Sequence, residues 1–495
     1  MSEHTMKRMR TVCAVTIAAA FAAGCAGFAP EYKRPEAELP AAWGVSGGAS
    51  AAPLAKGDRW WSVYNDAVLE RLIDEALAGN ANLLIAAARV EEARGVLGVS
   101  DTERQPQVTG SFNRSRTLTT NRGTFPLPPT VPREQNDYRA TLNVSYELDF
   151  WGRLKNANAA ARAELLASEA ARDTVRISLA SDVAQGYFAL RSYDGQIETV
   201  RRVIAGRGEA LEIQKKRLGL GDISEYELRQ REAELAAAKS QLPSLQRARA
   251  VQENALAVLL GRSPKLIYEG RLEAGRDAGH GADSGAPPPA PLASVSVPAL
   301  APVVPAGLPS DLLLRRPDIV EAEQRLIAAN ARIGVARAMY FPGISLTGFV
   351  GSESVALTDL FTGPAGIWQA ALALSQPVWG GGRLDAQVQQ ANARRQQALG
   401  SYQKTLQTAF REVRDALAGQ TSAREQLQAE SERAQALRET LRLARLRYDN
   451  GMANQLEVLD AERGLLAAEQ NRIDALRAQR AAIADLFKAL GGGWN

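Results

Sequence analysis

Few residues in this chain could break or make a bond. Among 495 residues there are two histidines, His4 and His280, and two cysteines, Cys13 and Cys25. A structural or catalytic metal needs three or four such ligands brought together, and a Ser-His-Asp or Cys-His site needs a histidine placed by the fold. His4 lies in an N-terminal leader and His280 in a Pro/Ala/Gly-rich stretch, so neither site can be assembled. A carboxylate-only enzyme has the residue types but shows no constellation. No catalytic residue, metal ligand or cofactor is assigned, and the chain reads as a non-enzyme. The one thiol whose position suggests a use is Cys25, which the small residues Ala22, Ala23 and Gly24 precede.

Lys7, Arg8 and Arg10 open the leader, with Met6 as an alternative start to Met1, and residues 11–23 are small and apolar. That length suits a signal peptide and is too short to span a bilayer. Ala-Ala-Gly-Cys at 22–25 resembles a bacterial lipoprotein cleavage site, although Ala22 stands where such sites usually have Leu. Processing there would leave Cys25 carrying acyl chains such as palmitate, and Ala26 in place of Asp favours the outer membrane. An ordinary signal peptide cleaved nearby is the other reading. Loss of residues 1–24 removes Lys7, Arg8, Arg10 and Glu3 and takes the net charge from +4 to +2. The mature chain then has no second cysteine for a disulfide. It shows no basic block with interleaved aromatics, so nucleic acid is not expected as a partner. It also has no apolar run long enough for a membrane helix, so any crossing must be made by strands.

The chain repeats itself at an offset of about 230 residues. Arg153 answers Arg383, Val183 answers Val413, Leu211 answers Leu441, Gly221 answers Gly451 and Glu232 answers Glu462. The expected organisation is a signal peptide (1–24), a lipidated extended arm (25–65), a first repeat (66–270), a linker (271–310) and a second repeat (311–495). The linker is richest in Ala, Pro, Gly and Ser over 271–305. Each repeat reads helix, strand, loop, strand, long helical hairpin. Strands are expected at about 107–118, 138–150, 343–351 and 367–378, and hairpins at 152–261 and 382–491.

The strand signal is clearest from Tyr138 to Phe150, where apolar and polar residues alternate without a miss. At ~3.4 Å per residue this run is ~40 Å long and can cross a bilayer when tilted. The hairpins carry apolar residues every seven positions: Val183, Leu190, Ile197, Ile204, Leu211 and Leu218 in the first copy. Such a seam coils helices around neighbours. On the second return helix Leu459, Leu466, Ile473 and Phe487 keep the period and Arg480 breaks it. Each first helix covers about 60 residues, or roughly 90 Å, and Pro243 should kink the first return helix. Ser224 with Glu227, and Asn454 with Glu457, have capping-box spacing at the two tips.

Four strands cannot close a barrel, and an open edge is not tolerated in lipid. Other copies must complete it. Three copies would supply twelve strands, within the range of membrane barrels, although nothing in the pattern fixes three. The fold class is therefore mainly α with a membrane β-barrel.

Several motifs bring a family resemblance. They are AGFAPEYKRP at 26–35, RWWSVYND at 59–66, YELDFWGR at 146–153, GLPSDLLLRRPDI at 307–319, YFPGISLTG at 340–348, LSQPVWGGGR at 374–383 and YDNGMANQLEVLDAER at 448–463. The chain resembles an outer-membrane factor of the TolC family, in its NodT-like lipoprotein branch, over essentially the whole mature length. It departs at Gly380, where the family commonly has Asp or Asn, and in the long 271–305 linker. The resemblance implies a homotrimer with a twelve-stranded barrel in the outer membrane and a coiled helical tunnel in the periplasm. It implies passive export of small molecules such as drugs, received from a periplasmic adaptor (a membrane fusion protein) and an RND-type inner-membrane pump. The alternatives are a channel of the same fold for protein secretion, and a periplasmic coiled-coil adaptor, which would have no use for the 138–150 strand.

By position, Leu456 and Asp460 match the family's constricting apolar and acidic rings and Glu457 a second acidic position. A ring of like charges around a narrow axis attracts counter-cations and filters ions. Glu457 is equally explained as a capping acid. Tyr448 and Arg447 are candidates for bonds that hold a closed tip, or for ordinary packing and solvation. The turns formed by Leu218, Gly219, Leu220, Gly221 and Asp222, and by Asp449, Asn450, Gly451 and Met452, are where an adaptor would dock. Arg139, Glu147 and Asp149 are expected to line the barrel lumen, and Trp151 and Trp379 to end strands at the membrane interface.

Overall fold

The computed structural model describes residues 28–36, 59–120, 122–124, 128, 130–269 and 315–492. Cys25, the leader and the 271–310 linker lie outside them. A short 3-10 helix (Trp60–Tyr64) is followed by α1 (Ala67–Gly79), α2 (Ala81–Thr102), β1 (Gln107–Leu118), β2 (Glu134–Glu147), α3 (Arg153–Gly219), α4 (Glu225–Leu259) and α5 (Pro264–Glu269). The second half has α6 (Pro317–Ala338), β3 (Gly343–Ser354), β4 (Gly366–Ser375), α7 (Arg383–Asp449) and α8 (Gln455–Ala489). The duplication is visible in the lengths: α3 and α7 have 67 residues each, and α4 and α8 have 35 each. No described helix is long and apolar enough to cross a membrane. The described residues form two compact units, one holding 28–36, the described part of 89–169, and 321–403, and the other the rest.

The first unit contains the sheet. Its four strands run antiparallel in the order β1-β2-β3-β4. Leu142 of β2 lies between Gly110 and Val350, and Val350 is opposite Trp368. One face therefore gathers Val108, Phe112, Leu142, Val144, Leu346, Val350, Trp368, Leu372 and Leu374, all exposed. The other face gathers Ser111, Thr141 and Asn143, which hydrogen-bond one another at 2.9–3.3 Å, and Arg139, which pairs with Glu353 at 3.4 Å. A Cβ at Gly351 would sit 2.1 Å from the Ala140 carbonyl oxygen, so only glycine lets β3 approach β2 there.

The strand limits differ from the sequence expectation in three strands. β2 starts four residues early at Glu134 and stops at Glu147. Leu148 still donates to the Ile344 carbonyl at 2.9 Å, but Phe150 N–H turns back to Leu148 and Gly152 takes φ +72°, which starts the helix. β4 ends at Ser375, ahead of Pro377, which has no N–H to donate. β3 runs on to Ser354, which pairs with Tyr138 of β2.

Helix packing in this unit uses alanine. Ala160 and Ala163 of α3 meet Ala328 and Ala331 of α6, and Ala336 of α6 meets Ala391 of α7. Small side chains let the helices approach closely. Residues 28–36 run beside α6 in the opposite direction. Pro30 O accepts from Asn330 at 2.6 Å, while Tyr32 and Arg34 reach Glu323 at 3.1 and 2.5–2.7 Å. Phe28 packs on Phe341, which stacks on Trp151, and Trp151 donates to the Pro342 carbonyl at 2.8 Å.

The second unit is built on the heptad seams. Val183, Leu190, Ile197, Leu211, Val413, Leu441, Leu459, Leu466, Ile473 and Phe487 are buried. The WWSVYND segment closes one core: Trp60 stacks on Phe487, Tyr64 donates to the Arg480 carbonyl at 2.7 Å, and Asp66 caps α1 while accepting from Tyr187 at 2.8 Å. Arg480, the heptad exception, is buried with its guanidinium over Phe188, and desolvation pushes its pKa down. Arg316 of the RRPDI motif donates to the Ala489 carbonyl at the end of α8 and pairs with Asp318 and with Glu412 in the middle of α7. Pro243 lies inside α4 without ending it. The missing N–H costs one rung of the ladder, and the long helix continues on both sides.

Candidate functional site: the hairpin tips

The two tips are built alike. At the end of α3, Gly221 N–H reaches Leu218 O and Asp222 N–H reaches Arg217 O at 3.0 Å. At the end of α7, Gly451 N–H reaches Tyr448 O and Met452 N–H reaches Arg447 O at 2.8 Å. These are the paired bonds of a Schellman ending, and they require a left-handed residue. Gly221 and Gly451 supply it at φ +80° and +69°. Asn450 adds a side-chain bond to Leu446 O at 2.7 Å. Leu220 and Met452 project into solvent at the two apices.

The caps of the return helices are not alike. Ser224 and Glu227 form a complete capping box at the start of α4. At the start of α8, Asn454 Oδ1 accepts from Glu457 N–H at 3.0 Å, but the Glu457 carboxylate does not return the bond. It pairs instead with Arg447 at 3.3 Å, across its own turn. The second capping box expected from spacing is therefore half made, because an arginine outcompetes the backbone N–H for that carboxylate. Arg447 also donates to Met452 O at 3.3 Å.

Leu456 and Asp460 lie one helical turn apart on one face of α8. Both point away from their own chain, Leu456 with 52% and the Asp460 side chain with 80% of its surface exposed. The nearest cation to Asp460 is Arg463 at 3.9 Å, and that arginine is already bound to Glu234. Tyr448 is packed in a small core with Leu441, Val458 and Ala461. Its hydroxyl accepts from Gln214 and Arg217 of the other hairpin, both at a long 3.4 Å. The structure thus joins Tyr448 to the first hairpin and Arg447 to Glu457.

Just behind the tip lies a charge cluster that sequence reading missed. Arg207 of α3 donates to the Glu234 carbonyl at 2.7 Å and pairs with its carboxylate at 3.2 Å. Arg231 of α4 pairs with Glu462 of α8 at 3.4 Å, and Arg445 of α7 reaches Glu462 at 2.9 Å. Arg463 of α8 grips Glu234. Arg207, Arg231, Glu234 and Glu462 keep 12% or less of their side-chain surface. The Arg463 hydrogen bond, opposed by burial and helped by Arg207, holds the Glu234 carboxyl below its ordinary pKa. The signal was present: Arg207, Arg231 and Glu462 each interrupt an apolar stripe, between Ile204 and Leu211, Leu228 and Leu235, and Leu459 and Leu466.

The three residues expected to line the lumen occupy different settings. Arg139 is on the polar face of the sheet, over the Phe349 ring and beside Glu353. Glu147 ends β2 in a two-pronged pair with Arg153 at 2.7–2.8 Å. Asp149 lies beyond the strand and accepts from Lys155 N–H at 2.7 Å, so it caps α3. The two interface tryptophans also part: Trp151 is packed, and Trp379 is almost fully exposed.

A family model described as outer membrane efflux protein matches residues 72–262 and 308–492, once for each repeat. The chain is 35% identical over 476 residues to Probable outer membrane lipoprotein SilC of Salmonella typhimurium, covering 95% of this chain and 96% of that one. It is 36% identical over 474 residues to the cation efflux system protein CusC of Escherichia coli O6:H1, again over 95% and 96% of the two chains. Among solved structures, the CmeC outer membrane channel of Campylobacter jejuni superposes with a TM-score of 0.83 at 26% identity, over 95% of each chain.

Proposed function

This chain belongs to the outer membrane efflux protein family, and from that premise we propose that it works as a homotrimer whose helix tips form the periplasmic gate. It is an outer-membrane efflux channel and not an enzyme. In the proposed assembly three copies close one twelve-stranded barrel. The observation that carries this is the sheet: four strands with an apolar exposed face and two open edges, β1 and β4. In lipid such edges must be paired, and copies of the same chain supply matching edges. The SilC likeness and the 22–25 motif support processing of the leader and acylation at Cys25.

At the gate, three copies of Leu456 and Asp460 would ring the axis. The apolar ring narrows the passage, and the acidic ring favours cations and concentrates field in a constriction. Tyr448, through its long bonds to Gln214 and Arg217, and Arg447, through Glu457, hold the closed turn. An adaptor would dock on the exposed apices, Leu218 to Asp222 and Asp449 to Met452, and shift the population toward the open tip. Its free energy must come from contacts made only with that state. Cargo is handed on by an inner-membrane pump.

Single-channel recording of the purified protein with Asp460→Ala tests the gate. We expect higher conductance and weaker cation preference. Unchanged conductance, selectivity and antibiotic susceptibility would remove Asp460 from the gate.

A further inference from the structure

The apolar face of the sheet is interrupted by charge at one end only. On β1 this face reads Val108, Gly110, Phe112, Arg114, Arg116 and Leu118, and on β2 it reads Glu134, Asn136, Tyr138, Ala140, Leu142, Val144 and Tyr146. The corresponding positions of β3 and β4 carry no charge. Arg114, Arg116 and Glu134 therefore stand together at the end of the sheet farthest from α3 and α7, which is the outer-leaflet end of a barrel whose helices are periplasmic. Tyr138 and Tyr146 bracket the uncharged stretch. Eight residues at ~3.4 Å, tilted by ~40°, put them about 21 Å apart across the membrane, close to the height of the lipid-facing band of such barrels. Arg114 is opposite Tyr138 in register, with its guanidinium 5.5 Å from the ring centroid. Arg116 is one step farther out, at headgroup depth.

A charge facing lipid is costly at the membrane centre and tolerated only near the interfaces. Two cations on this face, at one interface and absent from the other, match an asymmetric membrane whose outer leaflet carries the more highly phosphorylated headgroup. We propose that Arg114 and Arg116 form a docking point for the phosphorylated saccharide headgroup of the outer leaflet's glycolipid, with Tyr138 packed against its acyl-chain junction. Alternate residues of one strand have their Cα atoms about 7 Å apart on one face, a spacing from which two long guanidinium side chains can reach one phosphate-bearing headgroup. Arg116 has an internal partner, Glu134 at 2.9 Å, but both side chains are more than half exposed, 62% and 56%. Such a pair is weak and can be exchanged for a phosphate. Glu134 itself repels the headgroup and sets the strength of the site.

The inference rests on the barrel reading for the direction of this face. Its test uses the full-length protein, purified in detergent and stripped of lipid, with native mass spectrometry counting what rebinds. The probes are bisphosphorylated lipid A, its dephosphorylated form, and phosphatidylglycerol. Bisphosphorylated lipid A should bind the unaltered protein about tenfold or more tightly than either other probe, and binding should weaken with salt. Arg114→Gln with Arg116→Gln should abolish that preference, and Glu134→Gln should strengthen it. Equal binding of the dephosphorylated form to the unaltered protein would overturn the proposal without any variant. An unchanged preference in the double variant would overturn it too, as would phosphatidylglycerol binding as tightly as lipid A. The barrel reading fails separately, if the unaltered protein is a folded monomer that conducts no ions.

Discussion

Removing one charge behind the tip, by Glu462→Gln, should loosen the gate without touching it. The Glu462 side chain is 12% exposed and neutralises Arg231, which is 7% exposed, and Arg445, at 3.4 and 2.9 Å; Arg207 lies 3.9 Å away. Arg207 keeps Glu234, but among the described residues Arg231 has no other carboxylate within bonding distance. Taking one partner from a buried pair costs about 3–5 kcal/mol, because the remaining charge stays buried without compensation. Glutamine keeps the shape and one acceptor oxygen, and the exposed Arg445 can turn to water. The cost should therefore fall near the lower end, about 3 kcal/mol. It falls on the contact between α4 and α8, not on the whole trimer, so it appears as local opening. At 1.4 kcal/mol per factor of ten, amide protection from Val458 to Leu466 and on the facing turns of α4 should drop about 150-fold. Hydrogen exchange followed by mass spectrometry measures this directly. Arg442→Gln, which breaks the exposed Arg442–Glu439 pair on α7, is the control and should change nothing measurable. Protection within threefold of the unaltered protein in Glu462→Gln would refute the idea that this cluster holds the hairpins together.

Three further outcomes are expected. Glu234 has a folded pKa below its ordinary value of 4.5, so its stabilisation is complete above that pH and is lost as the pH falls through the lower folded value. Tip protection should therefore fall on acidification below about pH 4.5, and Glu234→Gln should lose that step; a pH profile identical in both proteins would contradict it. Gly451→Ala places a Cβ on a residue at φ +69° and should cost the turn about 1–2 kcal/mol, read as faster exchange at Met452 and lower pump-dependent drug resistance. Glu323→Ala removes the carboxylate that holds both Tyr32 and Arg34, so trypsin should cut after Lys33 at least tenfold faster (Pro35 protects the bond after Arg34), and an unchanged rate would place the hold on the arm elsewhere.

Much of the architecture follows from local periodicity and could be read without coordinates. Alternation at 138–150 announces a strand whichever partner it finds, and apolar residues every seven positions announce paired long helices. The 230-residue offset predicts two copies of one plan, and the equal lengths of α3 and α7 and of α4 and α8 bear the mark of it. These features are encoded by neighbours a few residues apart, so chain order is enough to see them. The chemistry at the tip is encoded differently. Arg231 meets Glu462 at a separation of 231 residues and Arg463 meets Glu234 at 229. Only the register between two hairpins decides such pairs. Glu457 showed how spacing alone misleads, since a capping acid and an ion-pair acid look the same until Arg447 is placed beside it. Asp149 continued the alternating pattern past Glu147, where β2 ends, and it caps a helix. Arg207, Arg231 and Glu462 appeared in the sequence as flaws in an apolar stripe. Tertiary structure makes them partners, because a buried charge is tolerated only where the fold brings its opposite within reach.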